Sequence, residues 1–239
     1  MNSSPRILAF LPTLNDFAVL PQICAAIQAL PGDYAVLVID DGSYPPLDRA
    51  TLPPGTMVGH LPENYGLGVA THVAMDHMLA HGYDVLVRLD SDGQHPVDKI
   101  PLLVDEVTAD RADFAIGTRI DPHKGFGARI LATRFISAYY RLIARWLTGS
   151  RVLGDLTSGF MAMNRRTASL MAKEPLERYP EPEMLMLGML EGLRIARVPI
   201  KANEREFGRS TIGVNRAMLL FYRFNIFALS RLFDGAKRP

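Results

Sequence analysis

The sequence predicts an α/β fold with a mostly parallel central sheet and helices on both of its faces. In the first half of the chain, short apolar runs rich in β-branched residues alternate with longer segments in which apolar residues recur at helical spacing. The short runs are nearly continuously apolar, as expected of strands buried on both faces of a parallel sheet. Polar clusters follow each run, as ligand-binding loops do in such sheets.

Five strands are predicted in the first half, over residues 6–11, 34–39, 56–61, 84–89 and 113–118. Helices are predicted between them over residues 16–30, 67–81 and 97–109. The second half is expected to contain a long helix over residues 129–147, the short run FMAMN, helices near 165–172 and over 183–191, a strand near 195–200 and a terminal amphipathic segment.

The composition of the chain limits its organisation and its location. A chain of 239 residues, 48% of them hydrophobic, can bury one sizeable core, and no repeat or linker divides it. We expect one domain over residues 1–211 and an amphipathic helix or tail over residues 212–239. The lone Cys24 excludes an internal disulfide and favours a cytosolic location, and it is expected to be a small side chain that a helix buries in the protein core.

Several classes of protein are disfavoured by charge and hydropathy. The net charge of +1 gives no general reason to expect a nucleic-acid partner. No signal peptide and no run of about 18 uncharged apolar residues is present, so a membrane-spanning helix is not predicted. The amphipathic terminal segment, interrupted by Arg223, Asn225 and Arg231, leaves contact with a membrane surface or a partner open.

The stretch LDSDGQHP follows the fourth predicted strand and carries paired carboxylates. In an extended segment, Asp90, Asp92 and Gln94 would point to the same face and could bind one Mg²⁺ or Mn²⁺ ion. An acidic turn that needs no metal is the alternative. A calcium-binding EF-hand loop is excluded because Pro101 stands where its closing glutamate would fall. His95 is expected to pack beneath the loop.

Two other loops contain residues suited to a nucleotide. Asp40 and Asp41 of VIDDGS could accept hydrogen bonds from a base or a ribose, although a turn or helix cap is the alternative. The stretch NYGLG begins like a dinucleotide fingerprint, but Thr71 replaces its third glycine, so no NAD site is predicted. Close approach of the backbone to a nucleotide at Gly68, or helix entry after an Asn64 cap, explains these glycines.

The second half adds basic and acidic clusters. Between residues 119 and 151, seven basic residues and five aromatic residues accompany a single acid, Asp121. This pattern fits a solvated helix face, a nucleic-acid patch or a surface for a lipid phosphate. The loop EREFGRST offers arginines and hydroxyls to a diphosphate. Glu181 and Glu183 lie at a predicted helix start, where acids favour the helix dipole or could act as a general base.

Read together, these stretches resemble the family 2 glycosyltransferases of the GT-A fold. The ordered set PTLND, VIDDGS, ENYGLG, LDSDGQHP, GTR, DLTSGF and REFGRST follows the family pattern as far as Thr211. DSDGQHP, DLTSGF and the R-x-x-G-x-S pattern are most similar to polyprenyl-phosphate sugar transferases of the dolichyl-phosphate mannose synthase type. YPEPEML is closer to bacterial enzymes of surface-polysaccharide synthesis. Leu14, Asp16 and Thr211 depart from the family's usual aromatic, glutamate and lysine.

The resemblance implies roles for individual residues. A nucleoside-diphosphate sugar would be bound by Pro12, Thr13, Asp16, Asp40, Asp41, Gly68, Ser91, Arg119 and Arg205. The acceptor would be bound by Arg134, Ser137, Ser158 and Gly159. Mg²⁺ or Mn²⁺ would be bound by Asp90, Asp92 and Gln94, and the implied catalytic residues are Glu183, Asp155 and Asp92.

The function implied is an inverting, metal-dependent transfer of a sugar to a polyprenyl phosphate. Such an acceptor is already anionic and needs no base, whereas a sugar hydroxyl, the alternative acceptor, would need Glu183 or, less favourably, Asp155 to take its proton. A nucleotidyltransferase and a non-catalytic nucleotide-binding scaffold are the alternatives from other classes. We expect a cytoplasmic protein, peripheral on the cytoplasmic membrane face, with a homo-oligomer left open.

Overall fold

In the part of the chain that the structure describes, the central element is a seven-stranded sheet with helices packed on both faces. The computed structural model describes residues 4–119, 158–176 and 180–201, and the helical positions 138–139, 142–143, 145–146, 222, 225–226 and 228–230. Its strands are β1 (Arg6–Thr13), β2 (Asp33–Asp40), β3 (Met57–His60), β4 (Val85–Arg88), β5 (Phe114–Arg119), β6 (Met161–Asn164) and β7 (Ile195–Ile200). Its α-helices are α1 (Leu20–Gln28), α2 (Leu67–His81), α3 (Ile100–Thr108), α4 (Arg165–Met171) and α5 (Glu181–Leu190).

The direction of the strands brings their ends to a common edge. Across the sheet the order is β3-β2-β1-β4-β6-β5-β7. Strands β1, β2, β3 and β4 are mutually parallel, and β5 pairs in parallel with β7. Strand β6 is antiparallel to both β4 and β5. Of the seven described strands, only β6 therefore runs the opposite way, and the predicted mostly parallel α/β sheet is confirmed.

The strand sequences are almost continuously apolar because successive side chains point to opposite faces of the sheet and both faces are covered by helices. In β1, Leu8 and Phe10 pack on the face that carries α2, α4 and α5. Ile7 and Ala9 pack on the opposite face against α1 and α3. Because helices cover both faces, no position in the middle of the strand reaches water. Cys24 lies on α1 in the core on the face packed by α1 and α3, and burial raises the pKa of its thiol to about 11, as expected of a core side chain.

Helix α1 begins at Leu20, four residues later than predicted from the apolar spacing. The preceding residues form a turn in which Asn15 has φ +54° and the Thr13 hydroxyl donates to the Asp16 carbonyl oxygen at 2.8 Å. Pro21, whose fixed φ suits the first turn of a helix, stands near the start of α1. The turn keeps Asp16 at the edge of the sheet and out of the helix.

Candidate active site

The loops after β1 and β2 are joined into one unit at the C-terminal edge of the sheet. The Asp41 N–H donates to the Thr13 carbonyl oxygen at 2.9 Å, and the Asn15 N–H donates to the Ser43 hydroxyl oxygen at 2.8 Å. The Asn15 side-chain oxygen in turn accepts from the Tyr44 N–H at 2.9 Å. Two of the predicted polar loops, PTLND and DDGS, are thus held together by hydrogen bonds. Pro12 and Thr13 are the last two residues of β1.

Asp40 organises the turn that follows β2. Its buried carboxylate accepts from the backbone N–H groups of Ser43 at 3.0 Å and Leu47 at 2.9 Å, and lies 3.1 Å from His60 Nδ1. Burial opposes ionisation of this carboxylate, but the hydrogen bonds from Leu47, Ser43 and His60 outweigh it and lower the pKa of Asp40. This side chain is therefore an ionised support for the loop.

Asp41 connects the β2 loop to the start of α2. Its carboxylate accepts from the Tyr65 N–H at 2.9 Å and from the Gly66 N–H at 2.9 and 3.2 Å. Gly66, with φ +95°, is the residue that precedes the helix, and no side chain of its own caps it. The expected Asn64 cap is wrong because a carboxylate from another loop satisfies these N–H groups. Gly68 is buried in the first turn of α2.

The DSDGQHP loop turns immediately after β4. Asp90 follows the strand, but residues 91–92 form a turn and Gly93 has φ +74°. The Asp92 carboxylate accepts from the Gln94 N–H at 3.0 Å. The extended register predicted for Asp90, Asp92 and Gln94 is therefore wrong, because the glycine lets the backbone reverse. The three residues share one short loop at the sheet edge, and the neighbouring Ser91 is buried.

Asp90 is held on both of its oxygens. Arg88 Nη2 donates to Oδ1 at 3.3 Å, and His95 Nε2 lies 3.2 Å from Oδ2. Burial opposes ionisation of Asp90, but His95 and then Arg88 outweigh it and hold the pKa of the carboxyl well below its usual range. The side chain is still 37% exposed. His95 does pack beneath the loop, stacked on Phe160 with ring centroids 5.2 Å apart, and it also orients this carboxylate.

The SGF end of the DLTSGF stretch reaches the same carboxylate from the other half of the chain. A Cβ atom placed on Gly159 would lie 2.6 Å from Asp90 Oδ1 and 2.7 Å from Oδ2, so only glycine lets the backbone pass here. Ser158 is buried, and its hydroxyl oxygen accepts from the Phe160 N–H at 3.4 Å. The fold thus brings two distant motifs into direct contact.

The donor set of the DSDGQHP loop suits a hard divalent cation. Asp90 is ionised and partly exposed, and a carboxylate oxygen that accepts one hydrogen bond can still bind a cation. Among the described residues there is no cluster of three or more His, Cys, Asp or Glu side chains arranged to hold a metal. Two carboxylates and an amide oxygen would leave positions for water and phosphate oxygens, which is the usual coordination of Mg²⁺.

The sequence matches the profile of glycosyl transferase family 2 over residues 9–169. The chain belongs to this family. It is 31% identical to the undecaprenyl-phosphate mannosyltransferase of Micrococcus luteus, over 86% of each chain. It is 30% identical to the polyprenol monophosphomannose synthase of Mycolicibacterium smegmatis, over 86% of this chain and 80% of the relative.

Solved structures agree on the architecture. Glucosyl-3-phosphoglycerate synthase from Mycobacterium tuberculosis, in complex with Mn²⁺, UDP and glucosyl-3-phosphoglycerate, superposes with a TM-score of 0.69 at 21% identity. The match covers 95% of this chain and 80% of that one. The predicted GT-A fold is therefore confirmed, and so is the prediction that the protein is a family 2 glycosyltransferase.

This glycosyltransferase contains a site residue that sequence reasoning missed. Arg88, the last residue of β4, is 1% exposed, and its Nη2 donates to Glu181 Oε1 at 2.5 Å as well as to Asp90. The available signal was an arginine inside the apolar run DVLVRL, because a fully buried arginine requires a paired acid. Glu183, the predicted base, is 4% exposed in the first turn of α5.

Several predicted site residues of the family pattern lie outside the described residues. They are Arg134, Ser137, Asp155 and Arg205, and with them most of the helix predicted over residues 129–147. The described positions of that helix, between 138 and 146, are helical as predicted. Arg119 ends β5, which places its backbone at the C-terminal edge of the sheet.

Proposed function

We propose that this chain is an inverting, metal-dependent glycosyltransferase that moves a sugar from a nucleoside-diphosphate sugar to a polyprenyl phosphate. The observation that carries the proposal is the meeting of the DSD loop with Gly159 at the C-terminal edge of the sheet. There, an ionised carboxylate faces the segment expected to bind the acceptor. Two relatives at about 30% identity are named for mannose transfer involving undecaprenyl phosphate and polyprenol.

The residues of this chain have separable tasks in the proposed reaction. The linked loops after β1 and β2 would bind the nucleoside, with Asp40 and Asp41 fixing the shape of these loops. Asp90, Asp92 and Gln94 would hold Mg²⁺ or Mn²⁺, which when bound neutralises negative charge on the leaving diphosphate. Asp90 needs little reorganisation for this task because it is already ionised and held on both oxygens.

The burial of Glu183 favours an acceptor that needs no base. With 4% exposure, this carboxylate has little access to the proton of an incoming hydroxyl. A lipid phosphate attacks as an anion, so no residue has to accept a proton. Attack from the face opposite the leaving group inverts the anomeric centre.

A nucleotide-release screen tests the proposal. UDP-sugars and GDP-sugars would be offered with undecaprenyl phosphate in detergent, with Mg²⁺, Mn²⁺ or EDTA, and the anomeric configuration of the product would be read by NMR. We expect nucleoside diphosphate release that needs both the lipid phosphate and the cation and that Asp92→Asn abolishes. Release that persists in EDTA would contradict the metal role, and turnover with sugar hydroxyls alone would contradict the lipid acceptor.

A surface formed by helical positions at 138–146 and 222–230 fits a peripheral contact with an anionic membrane. The helical positions at 138–146 and 222–230 are linked by a hydrogen bond from the Tyr139 hydroxyl to the Asn225 side-chain oxygen. They expose large apolar side chains at Leu142, Trp146, Tyr222, Ile226 and Leu229. Residues 212–239 carry five basic residues and one acid. Apolar side chains beside basic ones are typical of helices that lie on anionic lipid surfaces.

Liposome co-sedimentation tests this contact. No helix among the described residues has the length and apolarity to cross a bilayer. We expect the full chain to sediment with vesicles rich in anionic lipid, and the Trp146→Glu, Leu229→Glu variant to remain in the supernatant. Leu102→Glu changes a comparably exposed leucine on α3 and should bind as the wild type does. Equal loss in both variants would contradict the assignment.

A further inference from the structure

Arg88 joins the first turn of α5 to the DSD loop through a single nitrogen. Its Nη2 donates to Glu181 Oε1 at 2.5 Å and to Asp90 Oδ1 at 3.3 Å. The arginine is 1% exposed, and the Glu181 side chain is 12% exposed. The Arg88–Glu181 pair is therefore shielded from solvent, and charge pairs attract each other more strongly away from water.

The two contacts are unequal, and the difference matters for Asp90. The short contact commits most of the guanidinium's attraction to Glu181, because both Coulomb attraction and hydrogen bonding weaken with distance. Asp90 is oriented by the longer contact, so Arg88 compensates the charge of Asp90 less than the charge of Glu181. A carboxylate held in this way keeps its capacity to bind a cation. Glu181 thus limits how strongly Arg88 competes for Asp90.

The arrangement is a poor device for stability alone. Nε and Nη1 of Arg88 are buried and have no hydrogen-bond partner among the described residues. Buried N–H groups without partners are unfavourable, and a buried ion pair is often no more stable than apolar residues of the same volume. An arrangement that is costly for folding and touches the first acid of the DSD loop is better explained by a task at that acid.

We propose that Arg88 and Glu181 are positioning residues that set the orientation and the available charge of Asp90 for a divalent cation. The inference rests on the proposed role of Asp90 in binding Mg²⁺ or Mn²⁺. It extends the cation site beyond the DSD loop to the first turn of α5, which contributes no ligand of its own.

Direct Mn²⁺ binding tests the inference without an activity assay. Free Mn²⁺ would be measured by electron paramagnetic resonance while it is titrated into the full chain at saturating UDP and, separately, GDP. Glu181→Gln keeps the shape and one acceptor oxygen but removes the charge, so Arg88 should turn towards Asp90. We expect the Kd for Mn²⁺ to rise about 10-fold, the range known for residues that support metal ligands. Thermal unfolding should remain cooperative.

Asp113→Asn provides a matched control. Asp113 is a buried acid paired with Arg194 at the opposite edge of the sheet, so its loss should change stability and leave the Kd for Mn²⁺ unchanged. A Kd for Glu181→Gln within twofold of wild type, or an equal rise in the control, would overturn the inference. Absence of Mn²⁺ binding by the wild-type protein would instead overturn the proposed metal role of Asp90.

A double variant separates charge from simple disruption. Arg88→Gln, Glu181→Gln removes the guanidinium and its carboxylate partner together, so neither charge of that pair is left unpaired and Arg88 no longer competes with Mn²⁺ for Asp90, while the His95 contact is kept. We expect its Kd for Mn²⁺ to lie closer to wild type than that of Glu181→Gln. A Kd as weak as, or weaker than, that of the single variant would show that the pair acts only through packing and would refute the inference.

Discussion

Gly159→Ala is the most informative single substitution because the structure gives the size of the conflict. The added Cβ would lie 2.6 Å from Asp90 Oδ1 and 2.9 Å from Cγ. Ordinary van der Waals contact begins at 3.4 Å, so one side must retreat by about 0.8 Å. Either Asp90 moves away from Arg88 and His95, or the chain moves and pulls Phe160 from its stack on His95. Both movements disturb the proposed cation site.

We expect Gly159→Ala to lower kcat/KM about 100-fold, the usual consequence of a displacement near 1 Å at a reacting centre, equivalent to roughly 2.7 kcal/mol of transition-state stabilisation. The free energy of unfolding should fall by only about 1–3 kcal/mol, as is typical of overpacking. Nucleotide release, Mn²⁺ titration and thermal melts would be measured on the same preparation. The loss should appear in the Kd for Mn²⁺ as well as in turnover.

Gly188→Ala is the matched control. Its Cβ would meet Leu193 Cδ1 at 3.4 Å, an ordinary contact, and it lies inside α5, where alanine is favoured over glycine by up to about 1 kcal/mol. We expect full activity and a slightly higher melting temperature. The reasoning would be refuted by a Gly159→Ala enzyme whose kcat/KM and Mn²⁺ affinity both stay within threefold of wild type.

Three further substitutions test other parts of the structure. His95→Phe should keep the stack on Phe160 and change stability by no more than about 1 kcal/mol, yet raise the Kd for Mn²⁺ about 10-fold in the same titration. Asp113→Asn should remove a pH-dependent contribution to the free energy of unfolding, measured by urea unfolding at several pH values. Hydrogen bonds, chiefly from Arg194, hold the pKa of Asp113 at about 2, below its value in the unfolded chain. The ionised carboxylate therefore contributes about 2 kcal/mol above pH 4, and this contribution is lost as the pH falls to 2. The free energy of unfolding of the variant should therefore fall less between pH 4 and pH 2 than that of the wild type, whereas an equal fall would contradict the pairing of Asp113 with Arg194. Asp41→Ala should leave the Gly66 N–H without its acceptor and lower the free energy of unfolding by about 1–3 kcal/mol. The substitution should raise KM for the sugar nucleotide more than it lowers kcat. An unchanged melting temperature would argue against the role of Asp41 in holding the start of α2.

The sheet could be predicted from sequence because its signals are local. Each strand is a short apolar run that ends in a polar loop, and the direction of parallel strands then places those loops at one edge. Strand β6 could not be oriented in this way. The sequence of its four residues does not indicate which strands lie beside it or which way it runs. In the structure, β6 lies antiparallel between β4 and β5.

The site could be predicted only as a set of loops. The acids at positions 40 and 41 look alike in sequence, yet Asp40 closes its own turn and Asp41 supports the start of α2. The contact between Glu181 and Arg88 joins residues 93 positions apart, and no local pattern connects them. The extended register at Asp90 and Asp92 failed for a local reason, since Gly93 permits a left-handed turn that a period-two pattern does not anticipate.

The two acids of the DSD loop consequently differ in what they can contribute. Asp90 is constrained by Arg88, by His95 and by the passing backbone at Gly159, so its position is set before any ligand arrives. Asp92 lies on a turn and is oriented by the nearby Gln94 N–H. Mg²⁺ or Mn²⁺, if held by these two acids, would supply positive charge beside the diphosphate of the donor. We therefore expect Asp90 to determine where a divalent cation would bind, with Asp92 as a second carboxylate ligand from the adjoining turn.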